Sequence, residues 1–580
     1  MENTKLEFNI ENTKDNLTVL RINKNNKWIY MGSKYNMTLE IDKFLEQCEC
    51  IDKKESILLV YGFGTGEHLK SLRKKYKDNE IVVFEPNISM NEYIDNIEWI
   101  KKDDKITVIC GKISDFINNI NVRLDGLNLD FTKILFFSNY QKVYVEEVKE
   151  FLEELKYFFI NVKLDNSTKI NMSKIWFKTL MENLKYIIDG IPINKYRNIY
   201  KDKPAIIVSA GPSLEKNIDE LRKINDEILI ISGGRTLRSL IDRKINPHLL
   251  AVVDPLEVSY ELCKDYIEEL NIPLLFYEGT NHKVVSEHKG EKVFFSYNEF
   301  INKILGEKVL EVQTGGSVAH VMTSVAIIMG CNPIIFVGQD LAYTNEKSHA
   351  LIAQNRDGKT GFNELKRNDD IFVEDINGNL VRTSLVLNDY RMGLEKIIEK
   401  SKKTTFINAT EGGARIKGTI ELTLKEAIDK YKNGRIKLLN DFKKVENSFS
   451  IKTKALIHLK ETKYSCIKII KEYKKSIEYL NELYRINEKR DNAKINLIIN
   501  KLDKIDKKVS EEYKKIELVD KLIYPIIYET MQIKKCISNS KDDKCEQNIL
   551  YENMRFYLSI IEELQYALKY IDDVIDKLSK

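Results

Sequence analysis

Short apolar runs alternate with amphipathic stretches through the first two thirds of the chain. Strands that are apolar throughout and alternate with helices indicate parallel sheets covered on both faces. The runs predict strands at Ile57–Tyr61, Ile81–Phe84, Ile106–Cys110, Ile134–Phe137, Ala205–Val208, Ile228–Ser232, Leu249–Val253, Pro273–Tyr277, Val293–Phe295, Ile334–Val337 and Thr404–Ile407.

From about residue 421 the pattern changes, and Leu, Ile and Tyr recur at steps of three and four among lysines and glutamates. This period predicts several long amphipathic helices, broken near Tyr524-Pro525 and at 538–543. The simplest interpretation is a helical bundle that buries its own apolar stripe.

Three regions follow, because 580 residues are too many for one hydrophobic core. We predict an α/β multidomain fold, with an N-terminal α/β domain at 1–195, a central Rossmann-like parallel sheet at 196–430 and an all-α helical domain at 431–580. The first linker is expected within 170–200.

Composition excludes several classes. The chain is 43% hydrophobic and 31% charged, with a net charge of +4, which indicates a soluble globular protein with no nucleic-acid partner. The start of the chain lacks the features of a signal peptide, and no run is long enough to span a bilayer, so we expect a cytoplasmic protein. The eight cysteines form no CxxC pair and are predicted to be reduced, mostly buried thiols.

The N-terminal region carries a glycine turn, Gly62-Phe63-Gly64-Thr65-Gly66, between two predicted strands. The second strand ends in Glu85, which could accept a hydrogen bond from a ribose hydroxyl. This unit resembles the first half of an S-adenosylmethionine-dependent methyltransferase. Since Val60 stands where that family usually has an acid, we expect a relic of the fold rather than a working cofactor site.

The central region places small and polar residues where its strands end. In a parallel sheet these ends lie along one edge, where ligands bind. Glycine turns that open helices can present backbone amides to a phosphate. The candidate ligand-binding residues are Gly211, Pro212, Ser213, Gly234, Arg235, Asp254, Thr314, Gly315, Gly316, Ser317 and Gln339, with Asp340 beside them.

Six segments of this region resemble the motility accessory factors, which glycosylate flagellin. They are VSAGPSLEKNIDEL, SGGRTLRSL with INPHLLAVVDP, TGGSVAHVMTSVAIIMG, IIFVGQDLAYT and INATEGGARIKG. The resemblance implies a central domain similar to bacterial sialyltransferases. It also implies transfer of a nonulosonic acid, such as pseudaminic or legionaminic acid, from its CMP-activated form to Ser or Thr hydroxyls of flagellin.

Transfer of this kind needs groups that hold the phosphate and bind the base, the ribose and the sugar carboxylate. The amides at Gly211–Ser213 and Gly315–Ser317 are predicted to hold the phosphate. Asp254 and Asp340 could accept from ribose hydroxyls or cytosine. Arg235 and Arg415 are candidates for the sugar carboxylate. The resemblance implies that Tyr343 donates to the phosphate.

The acceptor hydroxyl must also lose a proton. His349, in the polar loop after Asp340, and Glu411, before two glycines, are alternative general bases. His349, Glu411 and Asp340 make up the predicted catalytic group. His248 and His320 are interpreted as structural.

No acidic D-x-D pair occurs in the central region, and the Asp369-Asp370 doublet is expected to face solvent. We therefore predict metal-independent transfer, with the CMP-activated sugar as donor and no further cofactor. Flagellin is the expected partner, without integral membrane contact, and the helical tail could help to dock flagellin or its export chaperone.

Two other functions remain open. The central motifs also resemble enzymes that pyrophosphorylate 6-hydroxymethyl-dihydropterin, which would need ATP and a divalent ion. A non-catalytic flagellin assembly factor or chaperone is the other alternative.

Overall fold

The computed structural model describes residues 4–48, 56–224, 226–353, 370–432, 434–438, 448–487, 491–538 and 545–580. The chain divides into two compact units. Unit 1 comprises Met1–Asn171 with Ile527–Asn539, and unit 2 comprises Met172–Ile526 with Ser540–Lys580. The division after Asn171 falls inside one long helix, whereas the sequence predicts a linker within 170–200.

Unit 1 contains two small sheets. The first is antiparallel, in the order β1-β2-β3, and the second is parallel, in the order β6-β5-β4-β7. The elements are β1 (Phe8–Asn12), β2 (Thr18–Lys24), β3 (Lys27–Tyr30), α1 (Met37–Glu46), β4 (Leu58–Tyr61), α2 (Glu67–Lys75), β5 (Ile81–Glu85), α3 (Asn91–Asp95), α4 (Glu98–Lys101), β6 (Ile106–Cys110), α5 (Ile113–Ile120), β7 (Lys133–Phe136), α6 (Tyr140–Val143) and α7 (Val145–Ile188), which continues into unit 2.

Unit 2 is built on a nine-stranded sheet, in the order β18-β17-β14-β9-β10-β11-β12-β13-β8, and its ladders are parallel. The strands are β8 (Ile191–Pro192), β9 (Ala205–Val208), β10 (Leu229–Gly233), β11 (Leu249–Ala251), β12 (Leu274–Tyr277), β13 (Lys292–Phe295), β14 (Ile334–Val337), β17 (Phe406–Asn408) and β18 (Ile420–Glu421). An antiparallel hairpin of β15 (Ile371–Glu374) and β16 (Leu380–Thr383) lies outside this sheet.

Helices cover this sheet and then form the tail. They are α8 (Leu214–Asn217), α9 (Gly234–Ile241), α10 (Glu257–Glu261), α11 (Lys264–Ile267), α12 (His282–Glu287), α13 (Glu299–Leu305), α14 (Val318–Ile328), α15 (Leu385–Lys400), α16 (Leu424–Tyr431), α17 (Ser448–Asn487), α18 (Asn492–Tyr513), α19 (Asp520–Ser538) and α20 (Cys545–Ser579). The predicted α/β multidomain class, with a central Rossmann-like sheet and a helical C-terminal region, is confirmed.

The chain reverses its direction across the sheet beside β9. From β9 it steps outward through β10, β11, β12 and β13, and α14 then carries it back to β14 on the other side of β9. In α/β sheets of this kind the crevice at such a reversal is where ligands bind. The central helix α14 is apolar on nearly all sides because it packs over the middle of the sheet.

The tail helices share one core with the sheet. Buried residues of α17 and α20, including Leu459, Ile469 and Leu564, belong to the same apolar cluster as Phe300 of α13 and Leu249 of β11. The predicted helix break at Pro525 is wrong, because α19 runs through this residue. Proline lacks an N–H group and so removes one backbone hydrogen bond, which packing of the helix can offset.

Five cysteines with described side chains have free thiols, as predicted. Cys48, Cys263, Cys331 and Cys466 are buried and Cys110 is half-buried, and burial raises the pKa of each thiol. Cys50 and the side chains of Cys536 and Cys545 lie outside the described part of the chain.

Candidate functional site

The carboxyl ends of β9 and β14 are tied together by side-chain and backbone hydrogen bonds. The Ser213 hydroxyl donates to Asp340 Oδ1 at 2.6 Å, and the Ser213 amide lies 3.2 Å from each carboxylate oxygen. The Gly211 amide donates to the Gly338 carbonyl at 2.7 Å. Asp340 is only 2% exposed, and burial raises the pKa of its carboxyl. Asp340 therefore links the segments that follow β9 and β14 through hydrogen bonds.

Glycines allow three sequence motifs to meet at this junction. A Cβ on Gly211 would lie 2.1 Å from Asp340 Oδ2, and one on Gly412 would lie 2.1 Å from the Ser213 hydroxyl. Gly413 has a φ of +78° and passes so close that its Cβ would lie 2.3 Å from the Asp340 carbonyl oxygen. The AGPS, GQD and EGG segments thus form one packed unit.

This packing corrects two expectations for the junction. The amides of Gly211 and Ser213 already donate to protein oxygens, Pro212 has no amide hydrogen, and the following helix α8 is only four residues long. The segment therefore has few free donors for a phosphate. The Asp340 carboxylate is likewise used by Ser213 and does not present itself to ribose or cytosine.

Gln339 belongs to the same junction. Its side-chain oxygen accepts from the Ser209 hydroxyl at 2.5 Å, and its backbone N–H donates to the Thr410 hydroxyl at 3.1 Å. Gln339 is 6% exposed. Its observed contacts position Ser209, which is half-buried at the end of β9.

Arg235 and His349 form the charged part of the crevice. Arg235 lies at the start of α9, next to Gly234, and its Nη1 is buried without a hydrogen-bond partner among the described residues. Burial and the nearby Arg235 charge lower the pKa of His349 to about 4. The Ala350 amide donates to the Ala210 carbonyl at 2.9 Å, which holds the His349 loop against the end of β9. A neutral imidazole thus lies near a half-buried cation at neutral pH.

The Thr314–Ser317 turn borders the same crevice from above β10. Gly315 and Gly316 are exposed, with φ values of +44° and +79°, and the turn leads into the 11-residue helix α14. A Cβ on Gly233 would lie 3.2 Å from Val318 Cγ1, so the helix start adjoins the strand end that carries Arg235. Of the two predicted phosphate turns, this one keeps its glycines open to solvent.

Asp254 and Tyr390 line the crevice beside that turn. Asp254 is exposed at the end of β11, where its Oδ1 accepts from the Leu256 amide at 2.8 Å. Burial, with a contribution from the Asp254 charge, raises the pKa of Tyr390. The Tyr390 ring would lie 2.9 Å from a Cβ on Gly316. Sequence reasoning missed Tyr390, because nothing around it in α15 distinguishes it from other helix residues.

The Glu411 carboxylate makes hydrogen bonds that hold neighbouring segments of the chain in place. Its Oε1 accepts from the Asn217 side chain at 2.9 Å and from the Leu424 amide at 3.0 Å, where α16 begins. A carboxylate already committed to these donors is poorly suited to remove a proton. Between the two predicted bases, the geometry favours His349.

Arg415 lies at the surface, with 47% of its side chain exposed. It pairs with Glu374 at 3.4 Å and donates to the Ile376 carbonyl at 3.0 Å. Between the two candidates for the sugar carboxylate, Arg235 is therefore the one that the structure brings into the crevice.

Tyr343 is held by an arginine that sequence reasoning did not single out. The guanidinium carbon of Arg382 lies 4.1 Å from the centre of the Tyr343 ring, and the Tyr343 amide donates to the Arg382 carbonyl. Arg382 pairs with Asp370 at 2.5 Å, and only 6% of the Asp370 side chain is exposed. Asp370 is thus buried in an ion pair, contrary to the expectation of a solvent-facing doublet, while Asp369 lies outside the described residues.

The structural interpretation of two histidines is confirmed. His248 Nδ1 accepts from the Ile230 amide at 2.8 Å, and its Nε2 lies 3.1 Å from Asp226 Oδ1. His320 is 1% exposed within α14, with its Nε2 2.8 Å from the Tyr390 carbonyl.

The glycine turn of unit 1 is filled by the protein itself. Tyr140 donates to Glu85 at 2.6 Å and accepts from the Gly64 amide, while the Phe63 and Asn87 amides also donate to Glu85. Burial raises the pKa of Glu85 to about 7. The acid expected to meet a ribose is therefore occupied, in keeping with a relic fold.

The described residues contain no group of three or more His, Cys, Asp or Glu side chains arranged to hold a metal ion. None of their helices is both long enough and apolar enough to cross a membrane. Metal-independent transfer stays a prediction.

Comparisons with known proteins identify the fold. A family model described as "6-hydroxymethylpterin diphosphokinase MptE-like" matches residues 178–346, from the end of α7 to the loop beyond Asp340. This chain is similar to the solved structure of the MAf glycosyltransferase from Magnetospirillum magneticum AMB-1. The match covers 98% of this chain and 93% of that chain, with a TM-score of 0.58 and 13% sequence identity. The chain has the MAf fold. The resemblance to motility accessory factors is thereby confirmed at the level of the fold.

An uncharacterized protein of Treponema pallidum (strain Nichols) is 30% identical over 99 residues. The match covers 17% of this chain and 46% of that relative, so the chain spans about half the length of the curated protein it matches. Within the MAf fold, the crevice at β9 and β14 lies in the segment that the family model also matches.

Proposed function

We propose that this protein is a glycosyltransferase that moves a nonulosonic acid, such as pseudaminic or legionaminic acid, from its CMP-activated form to Ser or Thr hydroxyls of flagellin. The observation that carries the proposal is the buried Nη1 of Arg235, which has no hydrogen-bond partner among the residues that the structure describes and lies near His349 in a crevice of a MAf fold. The proposed reaction takes place in the cytoplasm and uses no cofactor besides the donor.

Arg235 suits the carboxylate of the donor sugar. A half-buried guanidinium whose Nη1 is buried favours an anionic partner, and its planar geometry matches a carboxylate. The open Thr314–Ser317 turn lies next to it and suits the phosphate, at the start of α14. Negative charge that grows on the departing CMP would be stabilised there by donors already in place.

His349 is suited to act as the general base. Its imidazole is neutral at physiological pH and so can accept the proton of the Ser or Thr hydroxyl. A sugar carboxylate bound to Arg235 would offset the guanidinium charge that disfavours the imidazolium. Donor binding would therefore make His349 a stronger base at the step that needs one.

The experiment is intact-mass measurement of flagellin that is co-expressed with this protein and a nonulosonic-acid pathway. Wild type is expected to add increments of one nonulosonic acid, and Arg235→Gln is expected to reduce the modified fraction about tenfold or more. Asp340→Ala is the less informative variant, because Asp340 supports the junction and its loss would disturb the fold.

Arg238→Gln is the matched control. Arg238 lies in the same helix and pairs with Asp242 at 3.4 Å, so this variant removes an equal charge away from Arg235 Nη1. It should leave flagellin fully modified. Unmodified flagellin with the wild-type protein, while the CMP-sugar is shown to be present, would reject the transferase proposal.

The match to the MptE-like model favours one second candidate, a 6-hydroxymethylpterin diphosphokinase activity. That reaction would convert ATP and the hydroxymethylpterin to AMP and the pterin diphosphate. Incubation of the purified protein with ATP, magnesium and the pterin, followed by chromatography for AMP, tests it directly. AMP that forms only when the pterin is present would support this candidate over the transferase.

A further inference from the structure

Glu278 is a buried carboxylate with few polar contacts to replace the water it has lost. It follows β12, is 1% exposed, and neither of its oxygens accepts a hydrogen bond from any residue in the described ranges. The backbone around it is well held, since the Asn183 side chain donates to the Glu278 and Thr280 carbonyls. Burying an ionised carboxylate without hydrogen bonds is costly, so such a group points to a ligand that supplies them.

Lys521 compensates Glu278 only in part. Its Nζ lies 3.6 Å from Glu278 Oε1, beyond hydrogen-bond length, and 41% of the lysine side chain is exposed. The lysine stem is flexible, so the ammonium group can move aside without a change in the backbone. Both Glu278 oxygens therefore remain available as acceptors.

Tyr297 connects Glu278 with the crevice already described. Its ring packs edge-on against Phe295, its hydroxyl donates to the Val312 carbonyl, and 47% of the residue is exposed. Burial raises the pKa of Tyr297 to about 12, and the charge of Glu278 adds to the rise. Thr314, the first residue of the open turn, also interacts with Tyr297. In the register of β12 and β13, Tyr277 lies opposite Phe295, so Glu278 and Tyr297 follow the ends of neighbouring strands.

We propose that Glu278 and Tyr297 form the subsite that reads the hydroxyl and amide N–H groups of the transferred sugar. This inference rests on the proposed function. A carboxylate only accepts hydrogen bonds, which suits the donor groups of a polyhydroxylated, N-acylated sugar, and the tyrosine ring suits its apolar face. Glu278 lies two strands from the β10 end that leads to Arg235, about 10 Å away at ordinary strand spacing. One nine-carbon sugar can reach both, with its carboxylate at Arg235.

The test compares the binding of CMP and CMP-N-acetylneuraminic acid by calorimetry in the full chain. Wild type is expected to bind the sugar nucleotide more tightly than CMP. Glu278→Gln is expected to weaken binding of the sugar nucleotide about tenfold or more while binding CMP within about twofold of wild type. Normal CMP binding also shows that the variant is folded. If Glu278→Gln does not fold, Tyr297→Leu, at a half-exposed position, replaces it with the same expectation.

Two controls separate the explanations. Glu311→Gln removes an exposed carboxylate whose charge also acts on Tyr297, and it should change neither affinity. Lys521→Gln would reproduce the loss if Glu278 served only its ion pair, and that result would overturn the inference, as would equal wild-type affinities for the two ligands. Failure of wild type to bind CMP at all would instead count against the proposed function.

Discussion

At the scale of single residues, Arg235 and His349 influence each other through charge. Within the described part of the chain, the guanidinium has no hydrogen-bond partner at Nη1, and the nearby imidazole is kept neutral by burial and by that cation. Neither residue is unusual in the sequence, where each stands in an ordinary polar segment. Their chemistry arises from the low-dielectric crevice that they share.

We expect Arg235→Gln to raise the pKa of His349 from about 4, because removal of the cation favours the imidazolium. Burial is the larger cause and persists, so the pKa should stay below its ordinary value near 6.5. The measurement is NMR titration of labelled histidine, with the His349 signal assigned by its loss in His349→Gln. A His349 signal that titrates identically in both proteins would contradict the coupling.

At the scale of elements, the junction of β9 and β14 depends on close backbone approach. Ser213 and Asp340 are separated by 127 residues yet share three hydrogen-bond contacts. The EGG turn packs over them, and its glycines leave the space that the Ser213 hydroxyl and the Asp340 backbone occupy. The junction is therefore rigid and forms the base on which the Ser209, Ala210 and His349 segments rest.

Gly211→Ala should disrupt that junction. Its Cβ would lie 2.1 Å from Asp340 Oδ2 and 2.4 Å from the Gly338 carbonyl oxygen, so the strand ends must separate. We expect a loss of about 2 kcal/mol or more in the free energy of unfolding, measured by urea denaturation. Gly234→Ala is the control, because its Cβ would meet Val252 at an ordinary 3.5 Å at the start of a helix. A destabilisation in Gly211→Ala no larger than in the control would show that the junction tolerates expansion.

At the scale of the whole molecule, the sheet of unit 2 and helices α17, α18 and α20 belong to one compact unit. Their buried residues belong to one continuous apolar cluster, and Lys303 of α13 pairs with Glu517 at 2.5 Å. Elements that share a core are expected to unfold together. The compact unit spans residues on both sides of the boundary that the sequence predicts at 430/431.

Leu459→Ala tests this shared core. Leu459 is fully buried in α17, and its truncation should cost about 2–5 kcal/mol. Hydrogen exchange measured by mass spectrometry should show faster exchange in peptides of β9 and β14 as well as in α17. Ile457→Ala, two residues away and 51% exposed, should leave exchange nearly unchanged. Faster exchange confined to the tail would show that the tail unfolds separately.

The sequence by itself determined eleven of the eighteen described strands, the helical tail and the line of polar residues along the sheet edge, but it did not indicate β1, β2, β3, β8, β15, β16 or β18. Predicted strand boundaries agree with the structure within two residues; Ile334–Val337, for example, is identical in both. Local patterns suffice for this because an apolar run, a glycine turn and a helical period depend on neighbours in the chain. The same locality explains why His248 and His320 could be interpreted as structural.

Only the tertiary structure decided which of those polar residues remain available to a ligand. Asp340, Glu411 and the amides of Gly211 and Ser213 use their hydrogen-bonding capacity on distant parts of the chain, whereas Arg235 keeps a donor that no described residue uses. Tyr390, Arg382 and Glu278 carry no local signal and gain their positions from strands and helices that meet far apart in sequence. The physical reason is that the saturation of a polar group and its burial are long-range properties, set by what packs against it.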